Sequence, residues 1–288
     1  SFGEQCQEFE KEFSKYQGRR HCVMVNSGSS ANLILIQSLV NLGRLKPGDY
    51  VGCSAVTWST NVMPLIQLGL KPVLIDVELD TLNVSSATLK TALKKNSLKA
   101  IFLTNLLGLC SDIDEIQNVC EEKEIILLED NCEGLGTIYK GKKLGNFGLA
   151  VTNSSYVGHH MSTIEGGNVC TDDSELANML NLVRAHGWDR NMEEEERTKI
   201  REKYNVDSSF YGQFTFYKAP NYDDYCDPNR YSYQINTPEE CVSSDGKWIT
   251  IGGEPTRPVV AGPQLINSGY CDIDYNCKLR FDPVNELF

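Results

Sequence analysis

Two adjacent histidines, His159 and His160, lie in the segment SSYVGHHMSTIEGG (154–167). Imidazoles titrate near neutral pH and so can both take and give a proton. They also ligate metals, but no His, Cys or Asp group at zinc spacing accompanies this pair. Gly158 before them and Gly166-Gly167 after them suggest backbone held close to something bound. Upstream, NSGSSAN (26–32) sets small residues between the apolar run CVMV (22–25) and the helical ANLILIQSLVNL (31–42). Backbone N–H groups at a helix start, with two hydroxyls beside them, make a cradle for phosphate, although the same residues also serve as a plain helix cap. A third candidate is EIILLED (124–130), where an apolar run ends on Glu129-Asp130. A carboxylate at that point could pair with the ring nitrogen of a bound ligand, cap a following helix or ligate a metal. Trp58, following YVGCSAV (50–56), could stack on a flat ligand or close the core.

The elements that must position these residues alternate. Apolar runs at 22–25, 50–56, 71–77, 99–105 and 124–130 are separated by amphipathic stretches at 31–42, 61–69, 86–95 and 112–123. Strand, helix, strand, helix predicts a mainly parallel sheet with helices on both faces. The strand runs are continuous rather than alternating, as burial on both sides demands. Functional groups are then expected at the carboxyl ends of the strands. The acidic run at 193–196 reads as a solvated charged helix or loop. From about Lys218 onward Pro, Gly, Tyr and Cys without helical periodicity predict loops with short strands, or disorder.

A net charge of −12 argues against a nucleic-acid surface or an anionic membrane as partner, since both require a basic face. No apolar stretch approaches the roughly 20 residues that span a bilayer, and no basic-then-apolar signal opens the chain, so a cytoplasmic protein is expected. Seven cysteines before residue 171, with no CxxC pairing, read as reduced core thiols. The chain lacks an initiator Met and opens in what reads as a helix in progress, so a truncated or processed N-terminus is expected.

Taken in order, NSGSSAN, GDYVGCSAVTWSTNVMPLIQLGLKPVLIDVELDTLNV, EDNCEGLGTIYKGKKLGNFG, SSYVGHHMSTIEGGNVCTDD and LVRAHGWDRN resemble the DegT/DnrJ/EryC1/StrS sugar aminotransferase family, over about residues 2–217. The resemblance implies a three-layer α/β/α sandwich with a mixed, mainly parallel sheet, the large domain of pyridoxal phosphate fold type I. That domain is expected over 1–217, followed by an atypical tail over 218–288. It implies pyridoxal 5′-phosphate or pyridoxamine 5′-phosphate as cofactor and a homodimer. By position, Gly28 and Ser29 look like phosphate-binding amides and Ser154 like the hydroxyl that joins them. Trp58 resembles the ring-stacking aromatic, Asp130 the partner of the pyridine nitrogen, and Glu133 a group close to the ring. His159 occupies the position of the family's lysine, and His160 is left beside it without an assigned role.

Histidine at the lysine position resembles the branch of nucleotide-sugar 4-keto-6-deoxyhexose 3-dehydratases. An imidazole does not form the Schiff base that a lysine amine forms. The resemblance implies a nucleotide-linked 4-keto-6-deoxyhexose as substrate and an amino donor such as glutamate, with His159 as the proton-transfer residue. An aminotransferase of the same family and a non-catalytic cofactor-binding or dimerisation remnant are the alternatives. One related dehydratase type carries an iron–sulfur cluster. Cys132 stands at its first ligand position, but no cysteine follows Arg184 until Cys226, so no cluster is expected. The chain departs from the family at Asn105, where a His is usual, and at Leu149, where an Asp is usual. After FTFY (214–217) the family's small C-terminal domain is absent or replaced, with a lineage-specific replacement, a shifted reading frame or a chimera as the readings.

Overall fold

The computed structural model describes residues 3–189, 192 and 194–203, together with the backbone of four short strands nearer the C-terminus. The chain divides into two compact units, Ser1–Met192 and Glu193–Phe288. In the first, elements follow in the order α1 (Glu4–Gln17), β1 (His21–Val25), α2 (Gly28–Asn41), β2 (Tyr50–Ser54), α3 (Ser59–Gln67), β3 (Lys71–Ile75), α4 (Ser86–Leu93), β4 (Ala100–Thr104), a 3-10 turn (Leu106–Gly108), α5 (Ile113–Glu122) and β5 (Ile126–Asp130). A small hairpin of β6 (Ile138–Tyr139) and β7 (Lys142–Lys143) precedes β8 (Ala150–Ser154), β9 (Gly167–Thr171) and α6 (Ser174–Arg184). In the second unit α7 (Glu194–Lys203) has no buried residue, as a solvated charged helix should. There β10 (Lys247–Ile249) pairs with β11 (Arg257–Val259), and β12 (Asp272–Ile273) with β13 (Leu279–Arg280), both antiparallel.

Seven strands form one sheet in the order β1-β9-β8-β5-β4-β2-β3. The pairs β2–β3, β2–β4, β4–β5 and β5–β8 are parallel, and β9 runs antiparallel to both its neighbours. The sheet is therefore mixed and mainly parallel, as expected. Side chains of adjacent residues leave a strand on opposite faces, and the two faces feed two cores. Ala100, Phe102 and Leu128 pack with Leu35 and Leu39 of α2, Leu65 of α3 and Leu180 of α6. Ile101, Leu103 and Leu127 pack on the other face with Leu89 of α4 and Ile116 of α5. Helices thus cover both faces, giving the three layers. Among the described residues no helix is long and apolar enough to cross a membrane.

The seven cysteines of this unit are free thiols: Cys22, Cys53, Cys120 and Cys170 are buried, and Cys6, Cys110 and Cys132 are partly covered.

Ion pairs tie the β9–α6 corner to the rest of the unit. Arg19 donates to Asp172 Oδ2 at 2.8 Å and Arg44 to Asp173 Oδ2 at 2.6 Å. Burial alone would raise both carboxyls. Arg19 and the Arg20 amide on the first, and Arg44 and the Leu176 amide on the second, outweigh it and hold both below the ordinary aspartate value of 3.8. Depressed folded-state values stabilise fully above that value and lose the contribution as pH falls through the lower, folded one. The denaturant midpoint is accordingly expected to fall as pH drops below about 4, and the double variant Asp172→Asn/Asp173→Asn to flatten that limb. An unchanged acid limb in the variant would refute the assignment.

Candidate functional site

At the carboxyl edge of the sheet the start of α2 comes first. Ser27 caps it: its hydroxyl accepts from the Ser30 amide at 3.1 Å and its carbonyl from the Ala31 amide at 3.0 Å. The capping reading of NSGSSAN therefore holds for Ser27. Gly28 and Ser29 supply first-turn amides that have no partner within the helix. Around Gly28 the packing leaves no room for a side chain. A Cβ there would stand 2.7 Å from Ser154 Cβ and 3.0 Å from Cys132 Sγ, and one on Gly167 would stand 2.4 Å from the Ser27 carbonyl. The structure thus brings Gly28 and Ser154 together from α2 and the end of β8, with Cys132 as the third wall.

Asp130, 4% exposed, ends β5 on the α2/α3 face. Its Oδ1 accepts from the Cys132 amide at 2.9 Å. Its Oδ2 accepts from the side-chain amides of Asn32 at 3.1 Å and Asn61 at 2.6 Å. No helix follows it directly, so it is not a helix cap. The Cys132 thiol, enclosed although its residue is only partly covered, is pushed well above the ordinary thiol range by burial and then by the charge of Asp130. Asp130, Cys132, Gly28 and Ser154 thus form one connected wall.

Glu129, one residue earlier, points to the opposite face and is fully buried. Its Oε1 accepts from the amides of Phe147 and Gly148, both at 2.8 Å, and its Oε2 from the Gly145 amide at 2.6 Å and from Asn105 Nδ2 at 3.2 Å. Of the two acids ending β5, Asp130 belongs to the site and Glu129 to the scaffold.

Trp58 precedes α3 and is 71% exposed, so it does not close the core. Its carbonyl accepts from the Asn61 amide at 3.0 Å, which places it at the same helix start as the second asparagine on Asp130. Glu133 Oε2 accepts from the Leu107 amide at 3.0 Å, fixing the turn after β4, where Leu107 has φ 55°.

His159 sits on the loop from β8 to β9, five residues after Ser154, partly covered, with His160 exposed. The loop base is pinned by the Ser155 amide donating to the Gly166 carbonyl at 2.9 Å and by Ser155 and Thr163 hydroxyls 2.6 Å apart. The His159 amide donates to the Tyr156 carbonyl at 3.0 Å, and the two rings meet edge-on with centroids 6.4 Å apart.

Asn32 and Asn61 are the site residues that reading the sequence did not find. Both are polar residues inside apolar helical stripes, in ANLILI and NVMPLI, and that mismatch was the available signal.

The strand order with its single reversed strand, and a helix-start cradle beside a buried acid, define the large domain of pyridoxal phosphate fold type I. The chain belongs to the DegT/DnrJ/EryC1/StrS aminotransferase family, whose model matches residues 1–208. It is 42% identical over 213 residues to the GDP-4-keto-6-deoxy-D-mannose 3-dehydratase of Escherichia coli O55:H7, covering 73% of this chain and 55% of that protein. A crystal structure of GDP-4-keto-6-deoxymannose-3-dehydratase, a mutant with bound GDP-perosamine, superposes with a TM-score of 0.65 at 42% identity, covering 68% of this chain and 51% of the other. A second, with a trapped PLP-glutamate geminal diamine, gives 0.64 at 44% identity over 66% and 50%. The chain thus spans about half the length of the relatives it matches.

Proposed function

We propose that this chain binds pyridoxal or pyridoxamine phosphate and belongs to a nucleotide-sugar 4-keto-6-deoxyhexose 3-dehydratase. What supports the reading is His159 on a loop leaving the strand that supplies Ser154, in the segment whose resemblance to the family puts it at the lysine position. The cradle and the acid fit the cofactor: the Gly28 position leaves no room for a side chain, and Asp130 is held by the side-chain amides of Asn32 and Asn61 and by Cys132. In this reading the Gly28 and Ser29 amides and the Ser154 hydroxyl hold the phosphate, Trp58 covers the ring, Asp130 meets the pyridine nitrogen, and Glu133 lies beside the ring. When bound, the cofactor supplies an electron sink. His159 takes the proton from the C4′ carbon and gives one to the departing C3 hydroxyl, a poor leaving group without it. A lysine would recapture the cofactor covalently, whereas an imidazole leaves it free to carry the sugar. Glutamate is the proposed amino donor and a GDP-linked 4-keto-6-deoxyhexose the substrate, consistent with the names of the relatives. A cytoplasmic homodimer completes the proposal.

The test is to incubate the 288-residue chain with pyridoxal phosphate, glutamate and a panel of GDP- and CDP-4-keto-6-deoxyhexoses and to weigh the products. A sugar one oxygen lighter, with cofactor that dialyses away after borohydride, is the expected result. An amino sugar would make the chain an aminotransferase, and no cofactor binding would make it a remnant.

A further inference from the structure

Asn32 and Asn61 are each 1% exposed, and the side-chain oxygen of each is buried without a partner. Asn32 lies among Ala31, Leu35 and Ile36, all fully buried, where an apolar residue would pack without leaving an orphaned oxygen. Packing therefore does not explain the Asn32 amide, which also donates to the Thr60 carbonyl at 3.3 Å. What both do is donate to the same oxygen of Asp130. Their placement on the helices repeats: Asn32 follows Gly28 by four residues on α2, and Asn61 follows Trp58 by three at the start of α3. Residues three and four apart share a helix face. Each helix thus presents a candidate ligand-contacting residue at its start and, one turn on, an amide that grips the acid.

We infer that Asn32 and Asn61 are positioning residues, an amide clamp that fixes which lone pairs Asp130 offers to the pyridine nitrogen. The inference rests on the proposed cofactor. A carboxylate has about four lone-pair directions. The asparagines take both directions on Oδ2, and Cys132 reaches the carboxylate through its amide on Oδ1 and through its thiol, so the direction offered to the ligand is on Oδ1. Because the donors come from α2 and α3, that direction is locked to the helices that start at the cradle and at Trp58. Ring nitrogen and phosphate are then held in one frame, and the acid cannot swing away as electrons move through the ring.

The test uses the full chain with Asn32→Leu and Asn61→Leu, and the alanine variants where leucine fails to fold. Three quantities are read: the thermal midpoint without cofactor, the Kd for pyridoxal phosphate, and the pH at which the bound ring's absorbance reports loss of the pyridinium proton. The clamp predicts an unchanged or higher thermal midpoint, about tenfold weaker binding, and a pyridinium midpoint lower by about one pH unit, the same free energy read two ways. Wild-type binding with variants of unchanged Kd and pH midpoint would overturn the clamp alone. A lowered thermal midpoint with an unchanged pH midpoint would also overturn it, by showing a merely structural role. A wild-type chain that binds no pyridoxal phosphate would overturn the cofactor reading and the clamp with it.

Discussion

Replacing His159 by asparagine is expected to lower the rate of sugar deoxygenation by about 10²- to 10⁴-fold, the range that a positioned acid–base group contributes. Pyridoxal phosphate affinity is expected to stay within about twofold, because none of the proposed phosphate or ring-nitrogen contacts involves this side chain; a loss of tenfold or more, about 1.4 kcal/mol, would mean that His159 holds the cofactor. Asparagine keeps the polarity and much of the size of the ring but cannot exchange a proton near neutral pH. The neighbouring variant His160→Asn separates proton transfer from general loop damage. The 155–166 loop is pinned at its base by Ser155, Thr163 and Gly166 rather than by either imidazole. His160→Asn is therefore expected to keep most of the rate. Equal losses in the two variants would remove His159 from its proposed role, and so would full activity in His159→Asn.

The frame that carries this loop was legible in the sequence because parallel strands buried on both faces must be continuously apolar. The expected runs at 22–25, 50–56, 71–77, 99–105 and 124–130 became β1 to β5, with the helices between them where the amphipathic stretches lay. Strands β8 and β9 did not stand out, although every residue in both is buried. Their sequences, AVTNS and GNVCT, carry Thr, Asn and Ser, and the Asn153 amide donates to Asn168 Oδ1 across the pair at 3.1 Å. A strand that buries polar side chains inside the fold loses the apolar signature by which strands are recognised. The same masking hid Asn32 and Asn61. Conversely, Glu129 and Asp130 were visible as an acidic end of β5, but composition cannot divide two neighbouring carboxyls between two faces. The pleat does that, and each acid then takes its role from what faces it. For Trp58, exposure of the residue decides against the core and leaves the ligand-stacking reading to be tested.

Glu129 is where the second large effect is expected, and it falls on stability. Exchange for glutamine replaces one acceptor oxygen by an N–H donor facing the backbone N–H groups that now donate to it. With buried donors left unsatisfied at about 1–3 kcal/mol each, a loss of about 3 kcal/mol in unfolding free energy is expected from denaturant titration. Glu133→Gln, which keeps one acceptor near the Leu107 amide at a partly exposed position, should cost no more than about 0.5 kcal/mol. The difference follows from what Glu129 organises. Gly145 has φ 88°, and a Cβ on it would stand 2.8 Å from a Val151 methyl, so this turn is tightly folded onto β8. From the sheet side Glu129 takes the N–H groups of Gly145, Phe147 and Gly148. From the other side Arg19 donates to the carbonyls of Gly145, at 2.8 Å, and Gly148, at 2.6 Å. The turn is gripped through both kinds of backbone group, and it delivers the chain into β8, which ends on Ser154. Loss of the Glu129 grip should therefore weaken pyridoxal phosphate binding as well as stability, through the register of β8, with no contact between Glu129 and the cofactor required. A glutamine variant as stable as wild type would show that the turn is held by Arg19 and packing alone.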